Sequence, residues 1–75
     1  WGQGFMNEAL SEAIRYIFSK TKIVRLEARI RPENDRSLRL VEKLGFEREG
    51  LLRKAGCWRG ERFDMLIFSL IAPEQ

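Results

Sequence analysis

The sequence predicts a mixed α/β fold, with a mixed sheet and two helices, in the order helix, strand, helix, strand, strand. Three observations support this prediction. Apolar residues recur in pairs four positions apart in residues 5–18, alternate with polar residues in residues 24–30, and occupy both faces of the segment after Arg59-Gly60. A spacing of four is typical of an amphipathic helix, and alternation is typical of a strand with one buried face.

The first helix is predicted from about Gly4 to Lys20, with a glycine turn formed by Gly2 and Gly4 ahead of it. Its broad apolar face indicates that it packs against a sheet. The strand that follows is predicted in residues 22–32. It ends at Pro32, because proline cannot donate a hydrogen bond to a neighbouring strand.

The second helix is predicted within residues 33–46. Asn34 is a good N-cap, because its side-chain oxygen can accept a hydrogen bond from a free backbone N–H. Gly45 is expected to adopt the left-handed conformation that often follows the last turn of a helix. The apolar stripe of this helix consists of Leu40, Val41 and Leu44, joined by Ser37 near its start.

The rest of the chain predicts a hairpin, with strands within residues 46–60 and 61–71 and a turn near Arg59-Gly60. Apolar residues lie on both faces of the second of these strands. We therefore expect that strand to be covered on both sides or to lie in the centre of the sheet.

Composition excludes several classes of function. The 75 residues make at most one small domain, and a hydrophobic content of 44% is normal for a globular fold. The sequence has no histidine and a single cysteine, Cys57, which argues against histidine-dependent hydrolases and zinc enzymes, so no metal site is predicted. The net charge of +3 comes from interspersed charges of both signs and does not indicate a nucleic-acid partner. No apolar run approaches a membrane span, and the cytoplasm is the default compartment.

Two stretches could carry chemistry. A glycine turn before a helix presents free backbone N–H groups to an anion such as a phosphate, although, taken alone, Gly2 and Gly4 favour a plain tight turn. Asn34 and Ser37 lie three residues apart, on one face of the first turn of the second helix. They form either a simple capping pair or two side chains that point into a ligand groove.

The order of these motifs resembles the C-terminal half of the GNAT superfamily of acetyl-CoA-dependent N-acetyltransferases. The stretch WGQGFMNEAL is similar to the pyrophosphate loop of that family, and NDRSLRLVEKLGFEREGLLR is similar to its last helix and the following strand. Within the superfamily, CWRGERFDMLIFSL, with Asp64, resembles the group that acetylates the N-terminal amine of ribosomal proteins. The resemblance covers almost the whole chain and implies the acyl-CoA N-acyltransferase fold.

The resemblance also implies roles for individual residues. The backbone N–H groups of residues 2–6, which are Gly2, Gln3, Gly4, Phe5 and Met6, would bind the pyrophosphate of acetyl-CoA. Asn34 would contact the pantetheine arm or its neighbourhood, and Ser37 would be the catalytic residue, which either donates a proton to the leaving thiolate or only orients the sulfur or a water. Many relatives use a tyrosine for this step, at the position of Val41 here. No carboxylate stands out as the general base, and a structural role is expected for each one considered, including Glu27, Glu49 and Asp64.

The expected function is therefore acetyl transfer from acetyl-CoA to a primary amine, such as that of a protein N-terminus or a small molecule. Residues 1–75 are expected to form a partial N-acetyltransferase domain that lacks its N-terminal half and is inactive alone. The alternative is a non-catalytic module that binds a partner or forms a homodimer through unpaired strand edges. A nucleic-acid binder that stacks bases on Trp1 and Trp58 is a weaker third hypothesis.

Overall fold

The computed structural model describes residues 2–73, and it describes side chains from Asn7 onward. The expectations for Trp1, and for the side chains of Gln3, Phe5 and Met6, lie outside the described residues. The predicted element order is confirmed, with α1 at Gly2–Lys20, β1 at Arg25–Ile30, α2 at Asp35–Lys43, β2 at Glu47–Trp58 and β3 at Glu61–Ile71. The mixed α/β class is therefore confirmed.

The three described strands form one antiparallel sheet in the order β1-β3-β2. The last strand is central, as its two apolar faces predicted. In its register with β1, Leu66 lies opposite Ile30 and Ser69 lies opposite Glu27. The strand β1 is shorter than predicted, because Arg31 begins a turn after Ile30, although Ala72 N still donates to Val24 O at 2.9 Å beyond its other end.

The hairpin turn is at Arg59 and Gly60, with φ values of 51° and 82°. Two consecutive residues with positive φ match the type I′ turn, whose twist suits a two-residue hairpin loop. The register of β2 shifts twice against β3, at Glu49 and again at residues 53–55. Each shift is a bulge that places extra residues of β2 opposite the central strand.

The core lies between α2 and one face of the sheet. It consists of Ile30, Val41, Leu66 and Phe68, with Ala28, Leu38 and Phe46 packed around it. Apolar residues of β1 and β3 reach this face because side chains alternate along a strand. The predicted stripe of α2 is confirmed at Val41, and Leu38 extends it one turn toward the start of the helix.

The two ends of α2 are those predicted from its sequence. Asn34 is the N-cap, and its side chain accepts a hydrogen bond from Ser37 N. The last turn is closed by Gly45 N, which donates to Glu42 O at 3.1 Å. Gly45 has a φ of +93°, which a residue with a Cβ rarely adopts.

The helix α1 starts at Gly2 rather than Gly4, so the predicted glycine turn is instead the first turn of the helix. Its second half borders a cleft of about 360 Å³ with the end of α2 and the end of β3. Phe18 of α1 and Leu44 after α2 both line this cleft, so the two helices end on the same side of the fold. Among the described residues, no helix is long and apolar enough to span a membrane.

Candidate functional site

The first turn of α1 carries the residues expected to bind a pyrophosphate. A helix that begins at Gly2 leaves the N–H groups of its first residues without carbonyl partners inside the helix, and these include Gly2, Gln3 and Gly4. Met6 lies four residues after Gly2, where its N–H donates to the Gly2 carbonyl along the helix. Binding of a pyrophosphate by the N–H groups of residues 2–6 stays a prediction.

Asn34 and Ser37 lie together at the start of α2, joined by a contact between the side chain of one and the backbone of the other. Ser37 N donates to Asn34 Oδ1 at 3.2 Å, which is the capping arrangement. Asn34 is exposed and Ser37 is half-buried. Among the side chains of residues 7–73, neither Asn34 Nδ2 nor the Ser37 hydroxyl has a hydrogen-bond partner. Capping therefore uses one atom of Asn34, and the observed contact is that of the simple capping pair.

The chain connects these two groups through β1. The second half of α1 and Leu44, just after α2, line one cleft. The strand β1 then leads from the end of α1 to the turn that precedes Asn34.

Val41 occupies the position at which relatives were expected to carry a tyrosine. Its side chain is in the core, 7% exposed, against Leu66 and Phe68. A valine here contributes packing and has no proton to donate. If a hydroxyl of α2 acts on a leaving thiolate, the residue is therefore Ser37, one helical turn earlier.

The three carboxylates that were considered have structural contacts. Asp64 Oδ1 accepts from Lys54 N at 2.9 Å and so holds the second bulge of β2, where Lys54 has a φ of 57°. Arg25 joins the other two, since its Nε contacts Glu27 Oε2 at 2.9 Å and its Nη2 contacts Glu49 Oε1 at 2.9 Å. The structural interpretation of all three carboxylates is thus supported by their contacts.

Glu49 receives a further hydrogen bond from the hydroxyl of Ser69, a central-strand residue that is only 3% exposed. The hydrogen bond from Arg25, and then that from Ser69, lower the pKa of Glu49 below its ordinary value of 4.5. The hydrogen bonds that Arg25 donates to Glu49 and Glu27 in turn raise the pKa of Arg25. A carboxylate with a lowered pKa holds its charge firmly and is a poor general base near neutral pH.

Sequence reasoning missed this network of Arg25, Glu27, Glu49 and Ser69. Glu49 reaches Ser69 because it lies at the first bulge of β2, between the pairs Arg48–Phe68 and Gly50–Ile67. The only signal in the sequence is a serine inside an otherwise apolar strand, which in a central position needs a hydrogen-bond partner.

Comparison with known proteins identifies the family. Residues 1–47, which are more than half of the chain, match the family model described as the acetyltransferase (GNAT) domain. The chain belongs to the GNAT acetyltransferase family. This membership confirms the resemblance to that superfamily predicted from the sequence.

Three GNAT relatives show the extent of the match. An uncharacterized N-acetyltransferase, p20, from Bacillus licheniformis is 40% identical over 99% of this chain and 42% of its own length. A [ribosomal protein uS5]-alanine N-acetyltransferase from Escherichia coli is 38% identical over 97% of this chain and 38% of its own length. The structure of the microcin C7 self-immunity acetyltransferase MccE, in complex with acetyl-CoA and AMP, superimposes with a TM-score of 0.82 at 29% identity, covering 95% of this chain and 39% of MccE.

Two facts follow for this GNAT chain. It spans about 40% of the length of these relatives. Acetyl-CoA is the cosubstrate of the family, as the MccE complex illustrates. The matched relatives include a ribosomal-protein alanine N-acetyltransferase, which belongs to the group that the hairpin motif resembles.

Proposed function

We propose that this chain is the cofactor-binding part of an N-acetyltransferase that transfers an acetyl group from acetyl-CoA to a primary amine. The acceptor that we favour is the amine of a protein N-terminus, because a relative 38% identical to this chain is a ribosomal-protein alanine N-acetyltransferase. The observation that carries the proposal is the arrangement of free donors at two helix starts, at Gly2 to Gly4 and at Asn34 with Ser37.

Each donor suits a different part of the cofactor. The start of α1 combines free N–H groups with the positive end of the helix dipole, which favours a diphosphate. Gly2 and Gly4 allow a phosphate oxygen to approach the main chain closely, because they have no Cβ. Asn34 Nδ2 can donate to an amide carbonyl of the pantetheine arm while Oδ1 continues to cap α2.

The proposed reaction is a direct transfer. The neutral amine attacks the thioester carbonyl, a C–N bond forms, and the C–S bond breaks with release of the coenzyme thiolate, which takes up a proton. The proton lost by the amine goes to a base. Ser37 contributes its hydroxyl near the sulfur; since a serine hydroxyl is a weak acid, its main effect is to orient the thiolate or a water.

We further propose that residues 1–75 form a partial domain. The proposal is supported by the share of its relatives that the chain spans, about 40%. The general base and most of the acceptor site would then belong to an N-terminal part of the family's fold, and this chain alone would bind the cofactor without transferring acetyl groups. The reaction needs a supply of acetyl-CoA, and the cytoplasm is the compartment that we propose for it.

Titration with coenzyme A by isothermal calorimetry tests the proposal. We expect a dissociation constant on the order of micromolar and its loss in Gly4→Asp, since the new carboxylate faces the diphosphate. Aspartate is favourable in the first turn of a helix, so α1 should remain folded. Gly50→Asp is the matched control, because nothing lies within 4 Å of a Cβ added there.

Three outcomes would count against this function. A folded chain that fails to bind coenzyme A removes the cofactor site. Binding that Gly4→Asp leaves unchanged places the cofactor elsewhere. Acetyl transfer to a peptide N-terminus by the purified chain would contradict the proposal that it is inactive alone.

A second candidate function is homodimer formation. The outer edge of β1 has no strand partner among residues 2–73, and the apolar side chains Ile23, Val24 and Ile71 nearby are 45%, 65% and 54% exposed. An unpaired edge beside exposed apolar residues can pair with a second copy. Light scattering after size-exclusion chromatography distinguishes the two candidates. A dimer that persists at all concentrations and does not bind coenzyme A supports the non-catalytic, dimer-forming module.

A further inference from the structure

The β2–β3 hairpin contains a close packing contact across two strands. Phe63 of the central strand lies opposite Gly56 of β2. A Cβ added to Gly56 would lie 2.0 Å from Phe63 Cε2, well inside van der Waals contact. The aromatic ring therefore covers the Gly56 backbone, and only glycine leaves room for it in this position.

The same ring contacts the chain on the other side of the central strand. Arg31, the residue after β1, has its guanidinium carbon 4.1 Å from the centroid of the Phe63 ring. At this distance a guanidinium is attracted to the ring by a cation–π interaction. The ring thus connects Gly56 of β2 with Arg31, beyond the last pairing of β1 with β3 at Ile30 and Leu66.

Arg31 also holds the turn that leads into α2. Its carbonyl accepts from Asn34 N at 3.0 Å, and its Nε lies 3.7 Å from Glu33 Oε1. Asn34 in turn accepts from Ser37 N. A continuous series of contacts therefore runs from the hairpin, through Phe63 and Arg31, to the two residues whose free donors are assigned to the cofactor.

We propose that Arg31 is a positioning residue, through which the β2–β3 hairpin fixes the 31–34 turn and aims Asn34 and Ser37 at the cofactor. This inference rests on the proposed function of Asn34 and Ser37. Loss of the Arg31–Phe63 contact leaves every proposed cofactor donor in place and frees the turn that carries Asn34 and leads into the helix that carries Ser37. The consequence is weaker cofactor binding without loss of a cofactor contact.

The experiment compares substitutions on both sides of the contact in the 75-residue chain. Arg31→Met removes the charge and keeps a long side chain, whereas Arg31→Lys keeps a charge over the ring. Phe63→Leu removes the ring. Arg29→Met is the matched control, because Arg29 is an exposed arginine of β1 that makes no ion pair or side-chain hydrogen bond among residues 7–73.

Two readouts are measured on each variant. Calorimetry gives the dissociation constant for coenzyme A. NMR hydrogen exchange, measured without ligand, gives the protection of the Ser37 amide, which donates the capping hydrogen bond to Asn34. In Arg31→Met we expect the dissociation constant to rise about two- to fivefold, the effect of one exposed cation–π contact. We also expect faster exchange at Ser37, with most of both effects reversed in Arg31→Lys and neither seen in Arg29→Met.

The double variant Arg31→Met/Phe63→Leu should have a dissociation constant for coenzyme A no higher than that of the single variant that binds less tightly, because both changes break the same contact. Additive effects, or an unchanged dissociation constant and unchanged Ser37 exchange in Arg31→Met, would overturn the inference. If the unmodified chain does not bind coenzyme A, the proposed function fails. Ser37 exchange then still decides whether Arg31 orders the turn.

Discussion

One substitution separates the roles of the side-chain oxygen and nitrogen of Asn34. In Asn34→Asp the side chain keeps its shape and its Oδ1 acceptor, so the hydrogen bond from Ser37 N is retained. The Nδ2 donor is lost and a negative charge takes its place. Aspartate is as good an N-cap as asparagine, and its charge suits the start of a helix. The variant should therefore keep the stability of α2 and lose the contact with the cofactor.

The magnitudes follow from the two hydrogen bonds. Loss of a neutral hydrogen bond to the ligand costs about 0.5–1.5 kcal/mol, which is roughly a two- to twelvefold weaker affinity. Repulsion between the new carboxylate and the anionic cofactor adds to this, so we expect the dissociation constant for coenzyme A to rise about tenfold or more. In Asn34→Ala the cap is lost as well, at about 1 kcal/mol, which lowers Tm by about 4–8 °C in a domain of this size.

The assay pairs calorimetry with thermal denaturation followed by circular dichroism. Asn34→Asp should match the Tm of the unmodified chain and bind coenzyme A weakly, whereas Asn34→Ala should be deficient in both. An Asn34→Asp variant with unchanged affinity would refute the assignment of Nδ2 as a cofactor donor. A fall in its Tm as large as that of Asn34→Ala would show that Oδ1 does not act as the cap.

Two further predictions concern stability. The pKa of Glu49 is lowered in the folded chain, so its contribution is present above its ordinary value of 4.5 and is lost as the pH falls through the lower folded pKa. Glu49→Gln should therefore lower Tm at pH 7, and its difference in Tm from the unmodified chain should vanish in acid. Glu47→Gln is the control. A difference in Tm that does not change with pH, or an equal effect of Glu47→Gln, would contradict this prediction. Leu66→Ala removes a core side chain that is 5% exposed and should destabilise the chain by about 2–5 kcal/mol in urea denaturation, a large part of the stability of so small a domain. Leu51→Ala, at a leucine that is 45% exposed, should cost much less.

The features predicted correctly from the sequence depend on local chemistry. The cap at Asn34, the left-handed Gly45 and the turn at Arg59-Gly60 each need only a few neighbouring residues, and the structure contains all three. The central place of β3 was predicted for a similar reason. Apolar residues on both faces of a strand are favourable only where both faces are shielded, and in a three-stranded sheet the middle position shields most.

The features that were missed depend on contacts between distant parts of the chain. The bulge at Glu49 aligns its carboxylate with Ser69 and Arg25, residues 20 and 24 positions away. No periodicity reports such a shift, because one inserted residue leaves the composition of the strand unchanged. The contact between Arg31 and Phe63 was missed for the same reason, since it needs the register of the hairpin as well as the end of β1.

The two helix starts differ in sequence. At α2, the side chain of Asn34 accepts a hydrogen bond from a free N–H group, so this helix start is capped without a ligand. In the proposed function, Asn34 Nδ2 and the Ser37 hydroxyl then contact the cofactor. The start of α1 has no acidic residue in its first turn and contains two glycines, and glycine is a poorer helix former than alanine. An anion bound there would supply the missing negative charge. A start that is weak alone and strengthened by a diphosphate is consistent with selection for binding rather than for stability.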